Sequence, residues 1–338
     1  DQPSKTPFYP LQNYCGVGQY LSKYLTDMTV SNQGEGGLAS LDNAHFDSAK
    51  SQWKAGDYLY VEYGHNENST DEYRSHLDKY YDAAHEAGVR LILVGPIDRI
   101  QDGRFSNGQW TSSLKGYSDT AKKYVEEKIA AGADDIAFVD LNAAWIDFLN
   151  TETERVAEIR YDAGLDTEKE LNLSAPRYYY TYNRDGVADR THINDYGADN
   201  AASIFFEQLK NIVETGDEED ASESQRRQAE VLRDIYDDIN ETCAPDKVSE
   251  DVVKEGYAPN SCYPASFVSR TEYPYYASIE DITTNEDGTL NVAKVRVLQD
   301  LMQYAAVYVT AYSENNEIIG TVNSVEHIDN TSDRTGTV

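Results

Sequence analysis

Three short clusters in this 338-residue chain carry groups that can do chemistry. The first is Asp189-Arg190-Thr191-His192, an acid and an imidazole three residues apart, in a loop just ahead of a helical stretch. An acid bonded to one imidazole nitrogen fixes the tautomer and leaves the other nitrogen free as a base. A surface hydrogen-bonded pair has the same spacing. The second is Gly64-His65-Asn66-Glu67, where three polar side chains follow an apolar run at once. The third is Asn32-Gln33-Gly34-Glu35-Gly36-Gly37, whose glycines let backbone N–H groups approach a ligand closely. A flexible turn has that composition too.

Other chemistries lack their residues. Histidine is scarce at six copies, there is no His-Glu-x-x-His, and the three cysteines lack ligand spacing, so no metal is expected. There is no P-loop, and glycines 34, 36 and 37 do not spell the dinucleotide fingerprint, so no cofactor is expected. A net charge of −31 argues against nucleic acid and anionic membrane surfaces as partners. No apolar run reaches the roughly 18 residues of a membrane span. Tyrosine, at 27 copies against 8 of phenylalanine, suits both sugar stacking and core packing with a polar tip. Cys243 and Cys262 could pair across a Pro/Asn/Ser-rich stretch, leaving Cys15 single; an oxidising compartment is compatible with this. The chain opens on Asp1 without a signal peptide, which predicts a processed or truncated piece.

The elements that must position these clusters follow from pattern. Residues 1–14 hold three prolines and read as a loop. Gly18 to Leu25 reads as a short amphipathic helix, and Met28 to Ser31 as a short strand before the glycine turn. Tyr58 to Tyr63 has the β-branched and aromatic composition of a buried strand. Ser69 and Glu72 then stand at capping-box spacing ahead of a helix over 71–87. Val89 to Val94 is a strand ended by Gly95-Pro96, 101–113 a loop, 114–131 a helix, and Ile136 to Leu141 a strand tipped by Asn142. Such alternation of nearly continuous apolar strands with helices predicts a parallel sheet covered on both faces. In such sheets ligands bind beyond the carboxyl ends of the strands, which puts Gly64 to Glu67 on the functional rim.

Residues 151–185 read as an insertion on that rim, either part of a cleft or a surface loop, followed by a helix from Tyr196 to Val213. An acidic break, a helix over 222–241 and a linker to about 272 separate this unit from short alternating strands after Tyr275. Asp287-Gly288 and Asn315-Asn316 supply the hairpin turns of that second region. The expected division is therefore 1–215 as the α/β domain, 216–272 as helix and linker, and 273–338 as a small C-terminal β-sandwich-like domain.

In this order the motifs resemble the SGNH, or GDSL-like, hydrolases. Gly56-Asp57-Tyr58-Leu59-Tyr60-Val61-Glu62-Tyr63-Gly64-His65-Asn66, Gly95-Pro96-Ile97, Asp140-Leu141-Asn142 and Asp189-Arg190-Thr191-His192-Ile193-Asn194-Asp195-Tyr196-Gly197-Ala198 are similar to the rhamnogalacturonan acetylesterase branch, over roughly residues 1–213. The resemblance implies a three-layer α/β/α flavodoxin-like sheet and a secreted serine esterase acting on acetylated polysaccharide, pectic or hemicellulosic. It implies that Gly37 offers its backbone N–H, and Asn66 its side-chain amide, to the oxyanion of a tetrahedral intermediate. It makes His192 the base that activates a serine and Asp189 the group that orients it.

Two departures stand out. Glu67 takes the place of the family's Asp after the oxyanion Asn. The family's Gly-Asp-Ser, which ends the first strand, is absent, and the Asp1-Gln2-Pro3 loop resembles sequence that follows it, so the first strand and its serine are expected upstream. Ser4 lies too far into the proline-rich loop, and Ser31 and Ser40 belong to another strand end. The chain is thus read as an esterase fragment without its nucleophile, inactive on its own, or as a non-catalytic carbohydrate-binding or scaffold protein on a degenerate esterase fold.

Overall fold

A computed structural model describes residues 16–34, 37–41, 43–100, 104–162, 168–169, 171, 179–182, 188–193 and 195–240, and five strands beyond residue 276. Its centre is a three-stranded parallel sheet of β1 (Tyr58–Glu62), β2 (Arg90–Val94) and β5 (Ile136–Val139), in the order β1-β2-β5. Tyr58 stands opposite Arg90, and Leu91 opposite Ile136. The chain visits α1 (Asn43–Lys50) before β1, α2 (Thr70–Ala87) between β1 and β2, and α3 (Lys115–Ala130) between β2 and β5. The Ser69 hydroxyl accepts the Glu72 N–H at the start of α2, as the capping spacing predicts. A two-residue hairpin, β3 (Phe105–Ser106) and β4 (Gln109–Trp110), turns on Asn107 and Gly108 inside the predicted loop.

Successive residues of β2 enter different cores, the signature of a sheet buried on both sides. Leu91 and Leu93 pack with Leu77, Tyr124 and Val125 of α2 and α3. Ile92 and Val94 pack with Trp145, Phe205, Phe206 and Leu232 of α4 (Leu141–Asp162), α5 (Asp195–Asp217) and α6 (Glu223–Asp237). The architecture is therefore α/β with helices on both faces. The two edges of the sheet differ. At β5, Gln228 of α6 accepts the Phe138 N–H at 3.0 Å. The outward backbone groups of β1 have no partner among the described residues, and four of its five residues are only half-buried.

Three local expectations change. The segment read as an amphipathic helix forms two 3-10 turns, Val17–Gln19 and Leu21–Tyr24, with Tyr20, Leu21, Tyr24 and Leu25 buried as the pattern requires. Lys23, fully buried, pairs with Asp199 of α5 at 2.7 Å. Met28 to Ser31 is not a strand, because no strand among the described residues offers it a ladder; Asp238 instead accepts the Asp27 and Met28 N–H groups at 2.8 Å. The start of the supposed rim insertion is the continuation of α4 to Asp162, and Tyr179 and Tyr180 are core residues with no exposed surface. The helix α1 was not foreseen: none of its residues is buried, so it has no apolar stripe to read.

The C-terminal strands are β8 (Ala277–Thr284), β9 (Leu290–Val297), β10 (Tyr304–Tyr312), β11 (Ile318–His327) and β12 (Thr335–Thr337). β8, β9 and β12 form one antiparallel sheet, and β10 pairs with β11 in another. The turns expected at Asp287-Gly288 and Asn315-Asn316, and the cysteines at 15, 243 and 262, lie outside the described residues. Among the described residues no helix is long and apolar enough to cross a membrane.

Candidate active site

The site grows from the carboxyl ends of β1 and β2. After β1 the chain turns at Gly64, whose φ is +152°. A Cβ there would stand 2.9 Å from Cγ of Pro96, so the glycine permits close approach of the two strand tips. His65 then staples the tips together. Its Nε2–H donates to the Ile97 carbonyl at 2.7 Å, and its Nδ1 accepts from Arg99 Nε at 3.0 Å. Arg99 also donates to the His65 carbonyl at 2.7 Å. Burial first, and the Arg99 charge second, lower the His65 pKa to about 4, with a further lowering from His192. His65 is therefore neutral, with its tautomer set by its partners, and it lies within electrostatic reach of His192.

His192 and Asp189 lie on β7 (Ala188–Ile193), not in a loop. β7 pairs antiparallel with β6 (Tyr180–Tyr182) and leads directly to α5. Ile193 pairs with Tyr180 and Ala188 with Tyr182, so residues 189–192 are extruded opposite a single residue. Arg190 within this bulge takes φ +66°. Strict strand alternation, which sends residues i and i+3 to opposite faces, does not govern such a segment. The Ile100 N–H donates to the Arg190 carbonyl at 3.0 Å and ties the bulge to the β2 tip. The orienting contact expected of Asp189 lies outside the described residues.

Asn66 is exposed at the β1 tip, and its Nδ2 donates to the Leu38 carbonyl at 3.1 Å. This brings the amide within one residue of Gly37. Gly37 is exposed at φ +86°, and its N–H has no acceptor among the described residues. The structure thus joins the Gly37 turn to Asn66, and through the His65–Ile97 and Arg190–Ile100 bonds it ties the bulge that holds His192 to the tips of β1 and β2. Ser40 is fully buried; its hydroxyl is bonded to Nδ1 of His76 at 2.6 Å. No group of three or more potential metal ligands occurs among the described residues.

Sequence reasoning missed the support beneath the β2 tip. Asp98 is fully buried and accepts from Arg99 N–H at 2.7 Å, Ser113 Oγ at 2.5 Å, Leu114 N–H at 3.1 Å, Asn142 Nδ2 at 3.4 Å, and Ser112 Oγ. It anchors the turn that leads into α3. The legible hint was Ser112-Ser113 ahead of a helix whose own cap position, Leu114, has no side-chain acceptor.

No family model matches the chain. It is 22% identical over 214 residues to the probable rhamnogalacturonan acetylesterase YesY of Bacillus subtilis, covering 59% of this chain and 85% of that protein. It is 24% identical over 210 residues to the rhamnogalacturonan acetylesterase RhgT of the same organism, covering 58% and 81%. A crystal structure of the Bacillus subtilis protein YxiM superposes with a TM-score of 0.45 at 21% identity, over 59% of this chain and about half (51%) of that one. The resemblance drawn from the motifs is thereby shown: the chain is a distant relative of SGNH-like rhamnogalacturonan acetylesterases.

Proposed function

We propose that this protein is an extracellular carbohydrate O-acetylesterase that removes acetyl groups from a plant cell-wall polysaccharide, pectic rhamnogalacturonan or a related polymer, by serine acyl transfer on an SGNH-type flavodoxin-like fold. The observation that carries the reading is a set of hydrogen bonds at the strand tips: Asn66 is bonded beside Gly37, His65 ties the β1 tip to the β2 tip, and Arg190 ties the bulge that holds His192 to the β2 tip. The names of the two relatives support the substrate class.

In this reading His192 takes the proton of a serine, whose oxygen attacks the acetyl carbon. Asp189 orients the imidazole. The Gly37 N–H and the Asn66 amide hold the oxyanion, Asn66 exchanging the Leu38 carbonyl for it. His192 returns the proton to the departing sugar oxygen, and water then releases acetate by the same steps. The serine is assigned to a strand upstream of residue 1, beside β1, whose outward backbone groups have no partner among the described residues. Ser40 is unsuited to the role, being buried and bonded to His76. The C-terminal strands, assigned to a separate β-sandwich-like unit, contribute no catalytic side chain.

The test is acetate release from acetylated pectin by the chain joined to its upstream sequence. His192→Ala should lower the rate by about 10⁴ and Asn66→Ala by about 10²–10³. Undiminished activity of His192→Ala overturns the assignment. Equal activity with and without the upstream sequence places the nucleophile inside residues 1–338. An inactive wild type that still binds the polysaccharide favours a carbohydrate-binding role.

A further inference from the structure

A serine, a histidine and a glutamate meet behind the Gly37 turn. The Ser40 hydroxyl lies 2.6 Å from His76 Nδ1, and Glu67 Oε2 lies 3.7 Å from the same nitrogen. The cluster is not a second catalytic triad. In a triad the acid and the serine occupy different imidazole nitrogens, so that one orients while the other accepts the proton. Here both approach Nδ1, and Ser40 has no exposed surface from which to attack a substrate.

What the cluster does is bind a loop to a strand tip. Glu67 Oε1 accepts the Ser40 N–H at 2.5 Å. One residue earlier, Asn66 Nδ2 donates to the Leu38 carbonyl at 3.1 Å. The Tyr117 hydroxyl donates to the Glu67 carbonyl at 3.1 Å and holds the tip from below. Adjacent residues of the tip therefore grip alternate residues of the loop, and Gly37 is the next residue along it. The Glu67 side chain is only 1% exposed, and its Oε2 has no hydrogen-bond partner. Desolvating a carboxylate oxygen without a donor costs free energy that this grip must offset. The length of the side chain matters: an aspartate, shorter by one C–C bond of about 1.5 Å, would not reach the Ser40 N–H from the same backbone.

We propose that Glu67 is a positioning residue, holding the loop from Gly37 to Ser40 against the β1 tip so that the Gly37 N–H and the Asn66 amide face one point. The inference rests on the esterase reading, in which those two groups form the oxyanion hole.

Glu67→Ala, Glu67→Asp and Glu67→Gln, each in the chain joined to its upstream sequence, test this by two readouts. Amide hydrogen exchange at Ser40 is read without substrate; it should accelerate at least about tenfold in the Ala and Asp variants while amides of β2 and α2 stay unchanged. With an acetyl ester, kcat should fall by about 10- to 100-fold in the same two variants, with KM within about twofold, because the lost alignment matters in the transition state. Glu67→Gln, whose amide oxygen still reaches Ser40, should restore both. Unchanged exchange at Ser40 overturns the clamp. Accelerated exchange with kcat unchanged overturns its positioning role. A wild type that releases no acetate overturns the esterase reading and this assignment together, and is told apart because no variant is needed to see it.

Discussion

Two buried carboxylates sit at neighbouring strand tips in opposite conditions. Asp98, beyond β2, takes hydrogen bonds from two hydroxyls, two backbone N–H groups and an amide. Glu67, beyond β1, takes one from Ser40 and leaves its second oxygen without a hydrogen bond, 3.7 Å from His76 Nδ1. A carboxylate surrounded by donors is a foundation: its charge is spread over rigid partners, and it fixes the loop and helix around it. A carboxylate with an unfilled acceptor has been kept despite a desolvation cost, which points to a role outside stability. The surroundings follow the same division. The β2 tip is almost wholly buried, whereas Asn66 and Gly37 at the β1 side are exposed. His65 joins the two, hydrogen-bonded to the sealed tip while its chain neighbour Asn66 faces solvent.

The contrast can be broken most severely at Asp98. Asp98→Ala strands its donors in a buried setting and should cost about 3–5 kcal/mol of stability, seen as a lower urea midpoint at unchanged slope. A cost under about 1 kcal/mol would mean that water replaces the carboxylate and that the tip is less sealed than its geometry implies.

The staple comes next. Folding lowers the His65 pKa to about 4 from an unfolded value near 6.5, so the unfolded chain binds the extra proton between those limits. The contribution of neutral His65 is whole above pH 6.5 and is lost as pH falls toward 4. Between pH 7 and pH 5 the wild type should lose about 1–2 kcal/mol more than His65→Gln, after allowance for partial exposure. Parallel urea curves at the two pH values measure the difference; equal losses would remove His65 as the link. The smallest effect belongs to Tyr117→Phe, which deletes one bond beneath Glu67 and should cost about 0.5–1 kcal/mol by thermal melting.

The strand tips were legible because strands announce themselves by composition. Tyr58 to Tyr63 and Val89 to Val94 could be bounded to within a residue or so, and Ser69 marked the start of α2. The polar residues after Gly64 could then be assigned to a rim. The bulge at 189–192 could not be read, because it arises from a mismatch with β6, a partner that carries no local signal. Nor could the burial of Tyr179 and Tyr180, since a tyrosine-rich stretch has the same composition on a surface as in a core.

What the sequence determined by itself is local: the period of the elements, the cap of α2, the glycine that lets the β1 tip turn, and the polar groups that follow the strand ends. Each depends on backbone preferences within a few residues. The tertiary structure decided which of those groups are bonded to one another. Glu67 finds Ser40 across 27 positions, His65 finds Ile97 across 32, and Asp98 finds Asn142 across 44. Such pairings are set by how the sheet brings its tips together, so the same acid type is a saturated support at one tip and an under-bonded clamp at the next.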